Sequence, residues 1–158
     1  MTASFEKWLK TMEEHQKKSL EACEKAINST VREMVEKIIE RTPVGDPSLW
    51  RYKAPADYTP GTLKASWEIN TTNSARDVNT GRFKKMSSTD GSESTAQQWA
   101  GIKLNTNTNP SITIVNRQPY AWRVEYGSWS TQAPAGMMRV TVKEYAPLLE
   151  KYARDNKQ

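Results

Sequence analysis

The sequence predicts an α+β fold: a long N-terminal helix packed on a small antiparallel β-sheet, closed by a short C-terminal helix. Three observations predict it. An apolar stripe with helical spacing fills residues 1–41, short alternating apolar runs recur between 63 and 142, and helical spacing returns over 143–156. With 158 residues the chain has the size of a single domain, residues 1–158, with one core.

The first element is the plainest. Phe5, Leu9, Met12, Gln16, Leu20, Cys23, Ile27, Val31, Met34 and Ile38 recur with a period of about 3.67, and Trp8, Val35 and Ile39 widen the stripe. That period is the eleven-residue repeat, so the stripe keeps to one side of a nearly straight helix. Thr2 and Ser4 are alternative starts, and Thr42 before Pro43, then Gly45 and Pro47, supply the stop. Cys23, in the stripe, reads as a small buried hydrophobe. A rod of about 58 Å carries more apolar stripe than a small body covers, so its far part is expected to pack on another subunit.

Residues 42–66 hold half of the chain's eight prolines with Trp50, Tyr52 and Tyr58, and read as an ordered, non-helical strap. Leu63, Ala65, Trp67 and Ile69 then alternate as a half-buried strand, opening a sheet expected within 63–142. Residues 73–94 are a long polar loop. Trp99, Ala100, Ile102 and Leu104 suit a strand or one helical turn, and 105–109 a turn. Strands follow around Ile112 and Ile114 and around Val140 and Val142. The C-terminal helix runs through Tyr145, Leu148, Leu149 and Tyr152, with Pro147 tolerated in its first turn.

The formal net charge is +5, but residues 1–41 are balanced and the surplus lies beyond them. Arg82, Lys84 and Lys85 form the compact basic cluster, which permits contact with nucleic acid without demanding it. No apolar run approaches the roughly 18 residues of a membrane span and the first segment lacks an apolar signal core, so no membrane partner and a cytoplasmic origin are expected. Cys23 is the single cysteine and His15, expected at the surface, the single histidine, which excludes an internal disulfide and a Cys/His zinc cage. Phosphate-cradling and dinucleotide-binding glycine motifs are missing, and Gly127-Ser-Trp-Ser-Thr lacks the second glycine of a nucleophile elbow. Glu68, Glu125 and Glu144 are the carboxylates that a glycosidase reading needs, yet nothing in their spacing brings them together. The expectation is therefore no catalytic residue, no cofactor and no metal.

The densest chemistry lies in residues 119–142. As a strand, Tyr120, Trp122, Val124 and Tyr126 share one face and Ala121, Arg123 and Glu125 the other; as a helix, Trp122, Glu125 and Tyr126 fall together. Gly127 turns the chain, and 132–136 form a small-residue corner leading to Met137. Trp, Tyr, Met and Arg are enriched at protein interfaces, which makes Trp67, Trp122, Glu125, Tyr126, Trp129, Met137 and Arg139 the interface candidates. Tyr120, Val124 and Met138 belong to the core in this reading, and Trp129, beyond the glycine and between serines, is the best of the interface set. Replacement of Trp129, or of Arg139 by glutamate, is expected to leave the subunit folded.

These segments carry a resemblance. The helix ending in Arg41-Thr-Pro-Val-Gly, the Gly61-Thr-Leu-Lys-Ala-Ser-Trp67 run, and Tyr120-Ala-Trp-Arg-Val-Glu-Tyr-Gly127 followed by Gln132-Ala-Pro-Ala-Gly-Met-Met-Arg139 together resemble a family of tail-completion or neck proteins of long-tailed bacteriophages, also described as minor tail or head–tail joining components. Residues 46–60 and the long polar loop depart from the family's shorter spacing. The resemblance implies a non-enzymatic virion protein, assembled in the host cytoplasm as a ring of copies of itself beside tail terminator and connector proteins. In such a ring Arg82, Lys84 and Lys85 would face passing DNA. A nucleic-acid-binding module using that loop and nearby aromatics is the alternative.

Overall fold

A computed structural model of the chain describes residues 2–49, 53, 56, 58–70 and 111–156. In chain order these form helix α1 (Thr2–Arg41), a 3-10 turn (Pro47–Leu49), a short helix α2 (Thr62–Ala65), strands β1 (Trp67–Asn70) and β2 (Thr113–Asn116), and helices α3 (Ala121–Tyr126), α4 (Met138–Lys143) and α5 (Tyr145–Asp155). The fold is α+β, as the sequence predicts, with the long helix against a small antiparallel sheet. β1 and β2 pair with Trp67 opposite Asn116 and Ile69 opposite Ile114. A two-stranded ribbon is marginal alone and stands here by covering the core.

That core gathers side chains from α1, α2, β1, α3 and the turn that leads into α4. Val35, Ile38 and Ile39 of α1 meet Leu63, Trp67, Val124, Ala133 and Met137, with Ile69, Ile112, Ile114 and Tyr120 packed at the edge. Only the second half of α1 takes part. Ala26 is its first buried residue, whereas residues 4–21 are exposed throughout. Cys23 is exposed, which corrects its expected burial: it stands before the point where the body begins to cover the helix. His15 lies at the surface. α5 lies along α1, and Leu148 is its buried anchor.

Threonines close the gaps in this core. Thr30, Thr42 and Thr141 are almost fully buried, and each hydroxyl donates to the carbonyl four residues earlier, on Ala26, Ile38 and Met137. Back-bonding of this kind lets a polar side chain sit in an apolar layer without an unsatisfied donor. Thr42 does more: its Oγ1 accepts the indole N–H of Trp67 at 2.8 Å, joining the end of α1 to the start of β1.

One predicted strand is a helix, and a segment that suited either strand or helix is helical. Residues 138–142 alternate apolar side chains at Met138, Val140 and Val142 but form α4, because the buried positions are Met137 and Thr141, four apart, with Val142 54% exposed. Residues 120–126 form α3: Tyr120 and Val124 face inward while Trp122 and Tyr126 face out, so an apparent alternation is two pairs at helical spacing. Leu63 and Ala65 lie in α2, entered through Gly61 at φ 83°, and the strand starts only at Trp67. The sheet expected over 63–142 is thus, among the described residues, the β1–β2 pair. The C-terminal helix begins at Tyr145 with Pro147 in its first turn. The polar loop at 73–94 with Arg82, Lys84 and Lys85, the 99–104 run, and Trp50 and Tyr52 of the strap lie outside the described residues; within the strap, Tyr58 donates to the Gly45 carbonyl at 3.3 Å.

Thr42→Val is expected to lower the unfolding free energy by about 1–3 kcal/mol, because it strands the buried Trp67 N–H. Thr11→Val removes the same kind of bond, to the Lys7 carbonyl, at an exposed site and is expected to cost under about 0.5 kcal/mol. Urea denaturation of both variants checks the contrast.

Candidate functional site

The region rich in candidate residues is organised by one carboxylate. Glu125, 8% exposed on α3, accepts the backbone N–H groups of Met137 at 2.7 Å and Met138 at 3.0 Å on Oε2, and of Arg139 at 2.8 Å on Oε1. These are the first donors of α4, which has no cap of its own, so a side chain from another helix supplies the cap. The guanidinium of Arg139 turns back to the same residue, with Nε 3.4 Å from Oε1 and Nη2 donating to the Glu125 carbonyl. Gly136 makes the approach possible. Its φ is +87°, and a Cβ there would stand 2.7 Å from both the Glu125 carbonyl and Oε1.

Burial alone would push the Glu125 carboxyl up, but the N–H groups of Arg139, Met137 and Met138 and the Arg139 charge outweigh it and hold the group below its ordinary value of 4.5. The carboxylate therefore stays ionised and fully engaged. Tyr120 moves the opposite way: burial, and then the neighbouring Tyr58, push its hydroxyl up to about 12.

On the outer side of this clamp stands an aromatic shelf. Trp122, Tyr126 and Trp129 are 68%, 49% and 63% exposed, although they are large apolar side chains. Trp122 and Tyr126 rings lie 4.0 Å apart between centroids, the Arg139 guanidinium sits 4.7 Å over Tyr126, and Arg123 sits 4.7 Å over Trp129. Gly127 allows this fold-back, since a Cβ there would come within 2.9 Å of the Trp129 ring, and Ser128 follows at φ 51°. The shelf is held in place from behind and open in front.

The candidate set therefore divides. Trp122, Tyr126 and Arg139 come together on the shelf, and Trp129 lies under Arg123 of the same helix. Trp67 and Met137, 5% and 1% exposed, and Glu125 are interior residues of the subunit, a correction to their place among interface candidates; as helix and strand positions they answer the core's demand for volume and for a cap. Arg139 is half engaged with Glu125, so its replacement by glutamate would set two carboxylates together and disturb the fold, contrary to the expectation that the subunit tolerates it.

The other carboxylates are held elsewhere. Glu144, between α4 and α5, takes Lys37 at 2.8 Å and Arg41 at 2.5 Å, and those two bonds keep its carboxyl below the ordinary value. Arg41 also donates to Thr141 at 2.8 Å. Glu33 accepts Tyr152 at 2.7 Å and Lys151 at 3.2 Å and pairs with Lys37 at 3.4 Å, again with a lowered carboxyl, led by the Tyr152 bond. Glu68 pairs with Arg117 at 3.2 Å. Sequence reasoning missed this network; its signal was Glu33, Lys37 and Arg41 spaced four apart beside the stripe. Among the described residues no cluster of three His, Cys, Asp or Glu is placed to hold a metal ion, and no helix is long and apolar enough to cross a membrane.

No protein-family model matches the chain, and neither does any curated protein or solved structure.

Glu125→Gln is expected to destabilise the fold by about 1–3 kcal/mol, because the amide offers one acceptor oxygen where the carboxylate offers two. A carboxyl lowered on folding adds stability above its unfolded value and loses it as pH falls through the folded one. Chemical denaturation from pH 7 down to 3 should show wild-type stability declining below about pH 4.5 and the variant declining less, with Glu33 and Glu144 supplying the remaining slope.

Proposed function

We propose that this chain is a structural protein of a long-tailed bacteriophage virion, completing the tail end or joining the tail to the head connector through a ring of copies. It assembles in the host cytoplasm and stays in the tail or neck of the particle, with tail terminator and connector proteins as neighbours. The observation that carries the reading is the set of three large exposed rings on and beside α3: Trp122 and Tyr126 pack together under Arg139, which the buried Glu125 holds, and Trp129 lies under Arg123. Rigid exposed aromatics with arginine between them are the residue types on which protein interfaces concentrate their binding energy. Glu33, Glu68, Glu125 and Glu144 are each engaged by cations or amides. The resemblance of the 41–45, 61–67, 120–127 and 132–139 segments to neck and tail-completion proteins supplies the setting.

The alternative, a nucleic-acid-binding module, rests on Arg82, Lys84 and Lys85, which lie outside the described residues. The stacked guanidinium groups of Arg123 and Arg139 would suit it as well.

Trp129→Ala and Trp122→Ala test the reading, because neither side chain supports the core. Both subunits are expected to fold with unchanged circular dichroism, while electron microscopy of particles assembled with them shows unjoined heads and tails. Normal numbers of joined, infectious particles would refute the proposal. Salt-dependent DNA binding lost in the same variants would transfer the shelf to the nucleic-acid reading.

A further inference from the structure

The first half of α1 stands away from the body. Residues 4–21 are exposed throughout, and a solitary polar helix of that length gains little stability in water from its own hydrogen bonds. Along it Phe5, Trp8, Leu9, Met12 and Leu20 are 60, 55, 41, 50 and 50% exposed, and Phe5 stacks on Trp8 at 5.8 Å. Their spacing continues the eleven-residue pattern of the buried half without a break in phase, so one face of one helix is covered by the body from Ala26 onward and bare before it.

We infer that this bare half pairs with the same half of a second copy, antiparallel, in a two-helix contact centred between Met12 and Glu13. The match of lengths is the first argument. Laid antiparallel about the point between Met12 and Glu13, the stripe sets Phe5 opposite Leu20 and Leu9 opposite Gln16, and each helix tip ends where the other copy's body begins, just before Ala26. A register shifted further along would drive each tip into the partner's body; a shorter one leaves apolar residues uncovered. A parallel pair meets another obstacle, since both bodies sit on the stripe side of their helices and would collide.

Side-chain size and charge agree with the antiparallel choice. Trp8 faces the small Ser19 of the other copy, whereas in parallel Trp8 and Phe5 would each meet themselves. Residues 4–21 carry as many lysines as glutamates, so two copies do not repel. On one flank Glu6 of each copy faces Lys17 of the other, giving two cross pairs. The two Glu13 side chains meet near the axis and oppose the pairing. The five bare side chains leave on the order of 500 Å² per chain, so a pair covers about 1,000 Å², the lower end for a specific interface. The eleven-residue period adds a filter: a partner helix must have the same nearly straight stripe, and a copy of this helix has it by definition.

The pairing does not depend on the virion role, and its seam uses none of Trp122, Tyr126 and Trp129. Sedimentation of the full chain tests it. The chain is expected to run at twice its 18.0 kDa, and Leu9→Glu is expected to raise the dissociation constant by about 100-fold or more by setting a charge in the seam. Glu13→Gln is expected to tighten it. Orientation is read by oxidation of single cysteines placed in a Cys23→Ser background: Met12→Cys cross-links with its own copy, while two Leu20→Cys residues stand roughly 22 Å apart and do not. Equal cross-linking from Leu20→Cys, or a wild-type chain that remains a monomer at high concentration, overturns the inference. So does a monomer that instead coats anionic phospholipid vesicles, which would give the stripe to a lipid surface.

Discussion

The Glu125 carboxylate is the constraint on which the rest of this fold's second half depends. It lies in a helix of six residues and caps another of six, neither long enough to hold itself by backbone bonds alone. Three amide donors and one guanidinium converge on it, so its burial, which would otherwise cost several kcal/mol, becomes a stabilising contact. The consequences spread in two directions. Inward, the cap fixes where Met137 and Thr141 point, and these fill the space against Ile38 of α1. Outward, it fixes Arg139 over Tyr126 and thereby the attitude of the shelf.

The attachment of α1 to α4 and α5 has a different character. Lys37, Arg41 and Glu33 reach Glu144, Thr141, Lys151 and Tyr152 through side chains that are mostly a quarter to a third exposed, and no single pair is worth much at such sites. Their joint effect is directional. Hydrophobic burial of Val35, Ile38 and Leu148 supplies the attraction, while the bonded network sets how far α5 slides along α1. The Arg32–Glu36 pair, exposed on both sides, adds no such information.

Core and surface thus divide the work of a chain poor in apolar residues, which make up 36% of it. The body uses threonines where a larger protein would use aliphatics, and buries Trp67 while leaving Trp122, Tyr126 and Trp129 outside. The two bare surfaces differ in support: the first half of α1 stands on its own helical bonds, whereas Tyr126 and Trp122 are held from beneath by Arg139 and its clamp. Preorganised side chains lose little freedom when a partner covers them, which is the economy of an assembly surface.

What the sequence by itself determined are the elements whose signals are local and long. The 40 residues of α1 repeat their stripe many times over, Pro43 ends it, and Leu148 with Pro147 marks the last helix without reference to anything distant. The short middle elements depended on partners far along the chain. Met138 to Val142 reads as a strand by composition and becomes a helix because Glu125, a dozen residues away, satisfies its first amides; Trp122 and Tyr126 alternate like a strand and are helical because Val124 and Tyr120 need one shared face. Trp67 and Met137 are interface residue types that tertiary packing placed inside. Side-chain chemistry announces what a residue can do, but whether a short segment turns or extends is settled by which distant group satisfies its backbone, and only the folded chain brings that group near.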